Sequence, residues 1–484
     1  MTTIKLDPGA AMLLDALHGA GHAAYAVGGC VRDSLLGLDP HDWDLCTSAR
    51  PEQVMALFGE EKCIPTGLQH GTVTVKQGGR LYETTTFRTE GAYSDGRHPD
   101  AVCFVPDVRE DLARRDFTIN AMAYSAEEGL IDPFGGQDDL AAHLVRAVGE
   151  PERRFEEDAL RILRLYRFAA RFGFAIDPAT GAAARALGPH LDCVSAERIQ
   201  EELLKLLAAP RPGSYLEPAV LAVILPELEP EKQPERFAEL CCTIDRIEPT
   251  AENVPARLAA LLWPLGEAGA RKALRKLKCS NALTDEVTAL EREAGGGAGS
   301  FLLGHEFELR HPADALCLER HSHPAGRCPN SNSLFPPQAA VVTVAGHSIA
   351  RPIACGNRVP PQRTVLGETP GTPNTTLTVQ AKRLLGRYEL PTIQRLTALC
   401  SARHPEQAEA FAALRAEAEQ LTAENACCRV SQLAVNGRDL MAAGVRPGPG
   451  LRQVLNALLE AVITGQTPNE KDALLAAAAQ FSAS

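Results

Sequence analysis

The stretch that most constrains this chain is Ala26-Val-Gly-Gly-Cys-Val-Arg-Asp33, followed nine residues later by Asp42-Trp-Asp44. An apolar run from Ala23 to Val27 enters a Gly28-Gly29 turn, and a short helical segment from Val31 to Leu36 leaves it. Glycine lets backbone N–H groups approach a ligand closely, and a helix N-terminus favours anionic groups. Arg32 adds a fixed cation there. A second strand, from Trp43 to Cys46, brings two carboxylates. Alternate side chains share a strand face, so Asp42 and Asp44 point one way and Trp43 the other. Two neighbouring acids repel each other unless a cation sits between them, and oxygen ligands of this kind suit Mg2+. Taken singly, a Gly-Gly pair is a turn and an Asp-x-Asp a solvated strand end. In this order and company they predict a phosphate cradle beside a metal site, the equipment of phosphoryl transfer.

The chain then supplies more strands. Lys62 to Thr66, Thr72 to Lys76 and Arg80 to Thr86 read as strands, the last two joined by a Gly78-Gly79 hairpin turn. Residues 7 to 22 read as a helix, with Leu13, Leu14 and Leu17 on one face. The segment from Arg88 to Asp100 is polar and rich in turn formers, hence a loop. Arg114-Arg115-Asp116-Phe117-Thr118-Ile119-Asn120 then opens an apolar helix over 121–125. Arg115 can pair with a triphosphate, and Asp116 and Asn120 offer groups for a ribose hydroxyl, although buried Arg–Asp pairs also serve as structural ties. A second Gly-Gly pair, Gly135-Gly136, has no basic residue after it and reads as structural.

From Pro151 to Phe172 the pattern is one long helix, in which Asp158, Arg161, Arg164 and Arg167 recur every three residues. At about 100° per residue they spiral round one side. Between them sit Leu160, Ile162, Leu163, Leu165 and Phe168, so the charges need partners. A nucleotide base supplies them: Asp accepts from a base amino group, and Arg donates in a planar fork. Intrahelical and domain-bridging salt bridges would supply them equally well. Ser195 is a candidate N-cap for the next helix.

Together GGCVRDSLLG, DWDLCTSA, RRDFTINAMAY and EEDALRILRLYRFAARFGF resemble the class II tRNA nucleotidyltransferase/poly(A) polymerase family, closely over residues 1 to about 210 and more loosely from about 430 to 475. The resemblance implies an α+β fold: a nucleotidyltransferase head with a mixed β-sheet and helices, followed by an all-α neck, body and tail. It implies template-independent addition and repair of the 3′-terminal CCA of tRNA, with CTP and ATP as substrates and Mg2+ as cofactor. Asp42, Asp44 and Glu83 become the catalytic acids, Asp42 and Asp44 the metal ligands, and Glu83 the acid from a neighbouring strand. Gly28, Gly29, Arg32, Arg115, Asp116, Asn120, Asp158, Arg161, Arg164 and Arg167 become nucleotide contacts, with Asp158 and Arg161 reading the base edge in place of a template. A loop at 88–100 favours addition of all three nucleotides. Glu197 and Arg198 resemble a motif that supports the neck. Two alternatives stand beside this reading: a poly(A) polymerase of the same class, and a catalytically inactive RNA-binding homologue.

The expected domains are 1–145 (head), 146–210 (neck), 211–310 (body), 311–376 (a segment with 10 prolines that departs from the family pattern) and 377–484 (body and tail). Cys317, His321, His323 and Cys328 lie in the fourth, a faint zinc-like spacing without a CxxC pair. Arg271 to Lys278 is a basic run that suits either an RNA backbone or a solvated face. Net charge is -12, which argues against coating nucleic acid non-specifically, yet seven arginines fall between Arg146 and Arg171. No stretch approaches about eighteen consecutive apolar residues, so no membrane partner and a cytoplasmic location are expected. The 14 cysteines then read as reduced thiols. The oligomeric state, monomer or homodimer, is open.

Overall fold

The computed structural model describes residues 3–91, 102–295 and 375–481. Most of the polar loop, most of the proline-rich segment and the four Cys/His residues within it lie outside the described residues.

The head opens with helix α1 (Pro8–Gly19), capped by the Asp7 carboxylate on the Gly9 and Ala10 N–H groups. Strand β1 (Ala24–Val27), helix α2 (Gly29–Leu35) and strand β2 (Leu45–Thr47) follow, then helix α3 (Pro51–Phe58). Strands β3 (Cys63–Gly67), β4 (Thr72–Gln77) and β5 (Arg80–Thr86) fall where the alternating pattern puts them. Strands β6 (Arg88–Glu90) and β7 (Val102–Phe104) pair antiparallel, and helix α4 (Val108–Ala113) leads to β8 (Ala123–Ser125), β9 (Gly129–Ile131) and helix α5 (Gly136–Ala141). The main sheet runs β3-β4-β5-β2-β1-β8-β9. Only β2 and β5 are parallel within it; every other pair is antiparallel. The sheet is therefore mixed, as an α+β head requires.

Central strand β1 shows why the Ala23–Val27 run is apolar at every position. Ala24 and Ala26 enter the main core, whereas Tyr25 and Val27 pack on the opposite face with Phe87, Leu112 and Val148. Burial on both faces selects a continuous apolar strand over an alternating one. The same logic corrects one expectation. The apolar run 121–125 is not a helix: after one 3₁₀ turn at Thr118–Asn120 it becomes β8, which pairs Ala26 with Tyr124 and Val27 with Ala123. Four apolar residues and a serine have no periodicity that separates the two states, and the open edge of β1 decides.

The neck is helices α6 (Pro151–Glu157) and α7 (Leu160–Phe172), then α8 (Pro178–Ala186) and α9 (Ala196–Leu207). The expected single helix from Pro151 to Phe172 is broken at Asp158, which is extended (φ -148, ψ 104). The Asp158 carboxylate accepts the Leu160 N–H at 3.1 Å, the local side-chain bond by which Asp competes with helix continuation. Ser195 occupies the N-cap position of α9 without a side-chain capping bond.

The body continues with α10 (Pro218–Ile224), α11 (Pro234–Arg246), α12 (Val254–Leu262), α13 (Gly266–Lys276) and α14 (Asn281–Ala294), then α15 (Thr375–Arg387), α16 (Leu390–Arg403) and α17 (Ala408–Ala423). Its core is continuous with that of head and neck. Arg257 lies at its centre, fully buried, and donates to the Ile247, Leu207 and Ala209 carbonyls where two helices end. In the basic run, Arg271 pairs with Asp285 and Lys278 with Glu197. The tail, α18 (Gly437–Ala442), α19 (Pro449–Ile463) and α20 (Lys471–Phe481), has its own core of Leu440, Val454, Leu458 and Leu474. Among the described residues no helix is long and apolar enough to cross a membrane, and the cysteines are free thiols.

Candidate active site

The Gly28-Gly29 turn sits where β1 becomes α2. Gly28 has φ 76 and ψ -121, a conformation that L side chains rarely adopt. A Cβ there would stand 2.7 Å from Arg115 Nη1, so the missing side chain is also what admits the guanidinium. Gly29 is the first residue of α2, leaving backbone N–H groups at the helix start without intrahelical partners.

Asp42 and Asp44 lie in the extended segment just before β2 rather than inside a strand over 43–46, as expected from sequence. The alternation survives the shift. Trp43 is buried in the core, and Asp42 and Asp44 are exposed on either side of it. The Asp44 carbonyl accepts the Val27 N–H at 2.9 Å, which pins the acid pair beside the glycine turn. Glu83 comes in from β5: β2 and β5 run parallel with Leu45 beside Thr84, which brings Asp44 and Glu83 level one residue earlier.

Electrostatics tie these acids together. The Asp44 carboxyl is pushed up to about 6, first by desolvation, then by the negative charge of Glu83, with Asp42 adding to it and Arg115 opposing. Asp44 keeps solvent contact while protein atoms crowd round it, so exposure coexists with desolvation. Oxygen anions that repel one another are the donor set a hard divalent cation relieves. Among the described residues no three acid, histidine or cysteine side chains close into a cage. Mg2+ needs only one or two carboxylates, because water and substrate phosphates complete its shell. The residues present fit such an ion.

The remaining expected contacts fall into two groups. Arg115 is the cation at the glycine turn: it bonds Asp111 at 3.4 Å, lies against Gly28 and lowers the Asp44 pKa, and its Nε is buried with no partner among the described residues. Arg32 instead turns inward. It is buried, bonded to Asp33 at 2.8 Å and to Asn120, and flanked by the Phe168 and Phe172 rings of α7. Asn120 donates to Asp116 at 3.0 Å, and Asp116 accepts Arg164 from Nε at 2.8 Å and from Nη2 at 2.6 Å. Burial would raise the Asp116 pKa, but Arg164 and the Asn120 bond outweigh it and hold the group well below the usual carboxylate range. Arg167 in turn pairs with Glu202 of α9 at 2.5 Å. An unbroken chain of charged and amide groups thus runs from α2 through the head to α7 and α9.

At the neck, Asp158 and Arg161 take different partners. Both Asp158 oxygens are held by Arg198, at 3.2 and 2.7 Å. Arg161 bonds Glu157 at 2.8 Å, the Arg154 carbonyl at 3.2 Å and the Arg114 carbonyl at 3.0 Å. Asp111, Glu157 and Glu202 escape a reading by motif. Only the helical spacing of Asp111 to Arg114 and Arg115, three and four residues, could have signalled the first. Gly136 is structural as expected: a Cβ there would lie 2.4 Å from the Thr118 carbonyl oxygen.

Comparison with known proteins agrees with this geometry. Residues 24–146 match a family model for the poly A polymerase head domain, residues 173–232 one for a probable RNA and SrmB-binding site of polymerase A, and residues 385–478 one for a putative tRNA nucleotidyltransferase domain 2. The chain is 33% identical over 466 residues to the CCA-adding enzyme of Lactiplantibacillus plantarum, spanning 96% of this chain and 93% of that protein. Its match to the CCA-adding enzyme of Leuconostoc citreum is 44% identical over 252 residues, 52% of this chain and 60% of that protein. The fold superposes on the Bacillus stearothermophilus CCA-adding enzyme in complex with CTP with a TM-score of 0.68 at 29% identity, covering 98% of both chains. The fold alone is shared with the Thermotoga maritima CCA-adding enzyme complexed with tRNA, at a TM-score of 0.58 and 18% identity over 98% of this chain and 96% of that one. Near-complete coverage by a relative at this identity, with the head motifs in place, means that the chain belongs to the CCA-adding enzymes of the tRNA nucleotidyltransferase/poly(A) polymerase family.

Proposed function

We propose that this chain builds and repairs the 3′-terminal CCA of tRNA from CTP and ATP, without a nucleic-acid template, in the cytoplasm. The observation that carries the reading is Arg115 set against the Gly28 turn, beside which the Val27 N–H holds the Asp44 backbone, so that one cation serves a phosphate cradle next to the candidate metal site. That its relatives are CCA-adding enzymes, one of them solved in complex with CTP, supports the choice of substrates.

Asp42 and Asp44 would hold Mg2+, with Glu83 completing the acid set. When bound, such an ion would neutralise phosphate charge and favour in-line displacement at the α-phosphorus. The chain's own groups do the rest. The turn N–H groups and Arg115 hold the triphosphate oxygens, so the tRNA 3′-hydroxyl meets an oriented α-phosphorus and pyrophosphate leaves along the Arg115 side. Asp116, Asn120 and Arg164, fixed by one another, frame the ribose end. Arg32 and Arg167 hold that frame from behind. Asp158 accepts from the exocyclic amino group that cytosine and adenine share, and Arg161 donates to the adjacent ring nitrogen after releasing one present partner.

Incubation of the protein with tRNA lacking its CCA end, and with each nucleoside triphosphate in turn, tests this. CTP alone should extend the tRNA by CC, and CTP with ATP should complete CCA. Long adenylate tails would indicate a poly(A) polymerase, and no incorporation a binding protein only.

A further inference from the structure

Asp111 is fully buried on α4 and belongs to none of the motifs. Its Oδ1 accepts the Arg88 backbone N–H at 3.3 Å and two Arg114 N–H groups, from Nε at 3.0 Å and Nη2 at 2.9 Å. Its Oδ2 accepts Arg115 Nη2 at 3.4 Å. Burial would raise its pKa, but Arg114 and then Arg115 reverse the sign and keep it an anion.

Asp111 therefore holds one side of the Arg115 fork. On the other side is the Gly28 turn, where Arg115 Nη1 lies 2.7 Å from the position of a Gly28 Cβ and the neighbouring Val27 N–H ties the Asp44 backbone at 2.9 Å. A guanidinium on a flexible stem follows the strongest available anion, and Asp42, Asp44 and Glu83 together are a strong one. Arg88, the first residue of β6, fixes the Asp111 carboxylate from the strand side, so the acceptor cannot drift with the arginine.

We propose that Asp111 is a positioning residue: it holds Arg115 against the Gly28 turn and away from Asp42 and Asp44, so that the guanidinium meets the nucleotide phosphates instead of displacing the divalent cation. This rests on the reading of Arg115 as a triphosphate ligand. Without the Asp111 charge, Arg115 collapses onto the acid pair. Both CTP and Mg2+ must then compete with an internal ion pair.

The test is CTP binding by calorimetry with Mg2+ present and tRNA absent, so that no turnover occurs. Asp111→Asn should weaken CTP by about tenfold and raise the Mg2+ concentration needed for half-maximal CTP binding. In an Arg115→Ala background the same substitution should change CTP affinity by less than about twofold, because its route of action is gone. Asp111→Glu keeps the charge and should stay within about threefold of the wild type; thermal unfolding checks each variant, and the Glu form decides if the Asn form does not fold. Wild-type CTP and Mg2+ behaviour in Asp111→Asn, full additivity with Arg115→Ala, or a loss in Asp111→Glu as large as in Asp111→Asn would each overturn the proposal. A wild-type protein that binds no CTP would instead overturn the triphosphate reading, and this inference with it.

Discussion

Arg198 holds Asp158 by both carboxylate oxygens, at 3.2 and 2.7 Å, while the Leu160 N–H donates to Oδ1 at 3.1 Å. A carboxylate has about four acceptor positions. Among the described residues three are occupied, two of them on Oδ1, so Oδ2 keeps one open. That is what a single exocyclic amino group requires. The ion pair with Arg198 therefore orients Asp158 without closing it.

The first prediction follows from that free acceptor. Asp158→Asn can place an N–H donor where the acceptor was, so uracil and guanine, which present carbonyls there, lose their penalty. Such a contact discriminates by about 1–3 kcal/mol. Single-nucleotide incorporation with all four triphosphates should show UTP or GTP use rising about tenfold relative to CTP. An unchanged CTP-to-UTP ratio would place base choice elsewhere.

Asp42→Ala and Asp44→Ala should each abolish nucleotide addition while leaving the fold intact. Both acids are exposed beside a buried Trp43, so their removal costs little packing. Loss of metal-held charge stabilisation amounts to several kcal/mol in the transition state, at least about a hundredfold in rate. Primer-extension assays read the rate, and thermal unfolding reads the fold. Near-normal turnover by Asp42→Ala would refute the acid-pair mechanism.

Asp116→Ala should be among the more destabilising changes in the head. It strands Arg164, Asn120 and the Phe117 N–H, all of which Asp116 satisfies. Removing one partner of a buried ion pair costs about 3–5 kcal/mol. Urea denaturation should show it, and a loss under about 1 kcal/mol would mean that Arg164 finds another anion, with Glu202 at 3.7 Å the nearest candidate.

A pH effect should come from the body. Glu291 is buried, neither of its oxygens has a hydrogen-bond partner among the described residues, and its carboxyl is pushed from 4.5 up to about 8, first by burial and then by Glu267, with Arg403 opposing. The folded chain binds this proton more tightly than the unfolded one. The stabilisation is complete below about pH 4.5 and is lost as pH rises towards 8, with a slope of up to about 1.4 kcal/mol per pH unit. Glu291→Gln removes the titration. Denaturation curves at pH 5 and pH 8 should show the variant gaining on the wild type at the higher pH, and parallel losses would refute it.

The chain wrote much of this site in local patterns. The Gly28-Gly29 turn, the alternation of Asp42, Trp43 and Asp44, and the strand carrying Glu83 are legible because each depends on near neighbours: backbone conformation at glycine, and side-chain direction along an extended segment. The same local reasoning failed at 121–125, where a short apolar run has no period of its own, and at Asp158, where a side-chain bond to Leu160 ends the helix.

Partner choice among charges is where the sequence alone stopped. Composition and spacing said that Arg161, Arg164 and Arg167 need partners. They could not say which, because Glu157, Asp116 and Glu202 compete over separations from 4 to 48 residues along the chain. Coulomb attraction falls with distance in space and is blind to distance in sequence. Only the packing of α2, α7 and α9 round one core, with α4 on the other face of the sheet, brings particular pairs to hydrogen-bond range. Local physics determined the turn, the acids and their directions. The tertiary structure decided that Arg115 lies against the Gly28 turn, and that Asp111 holds it there.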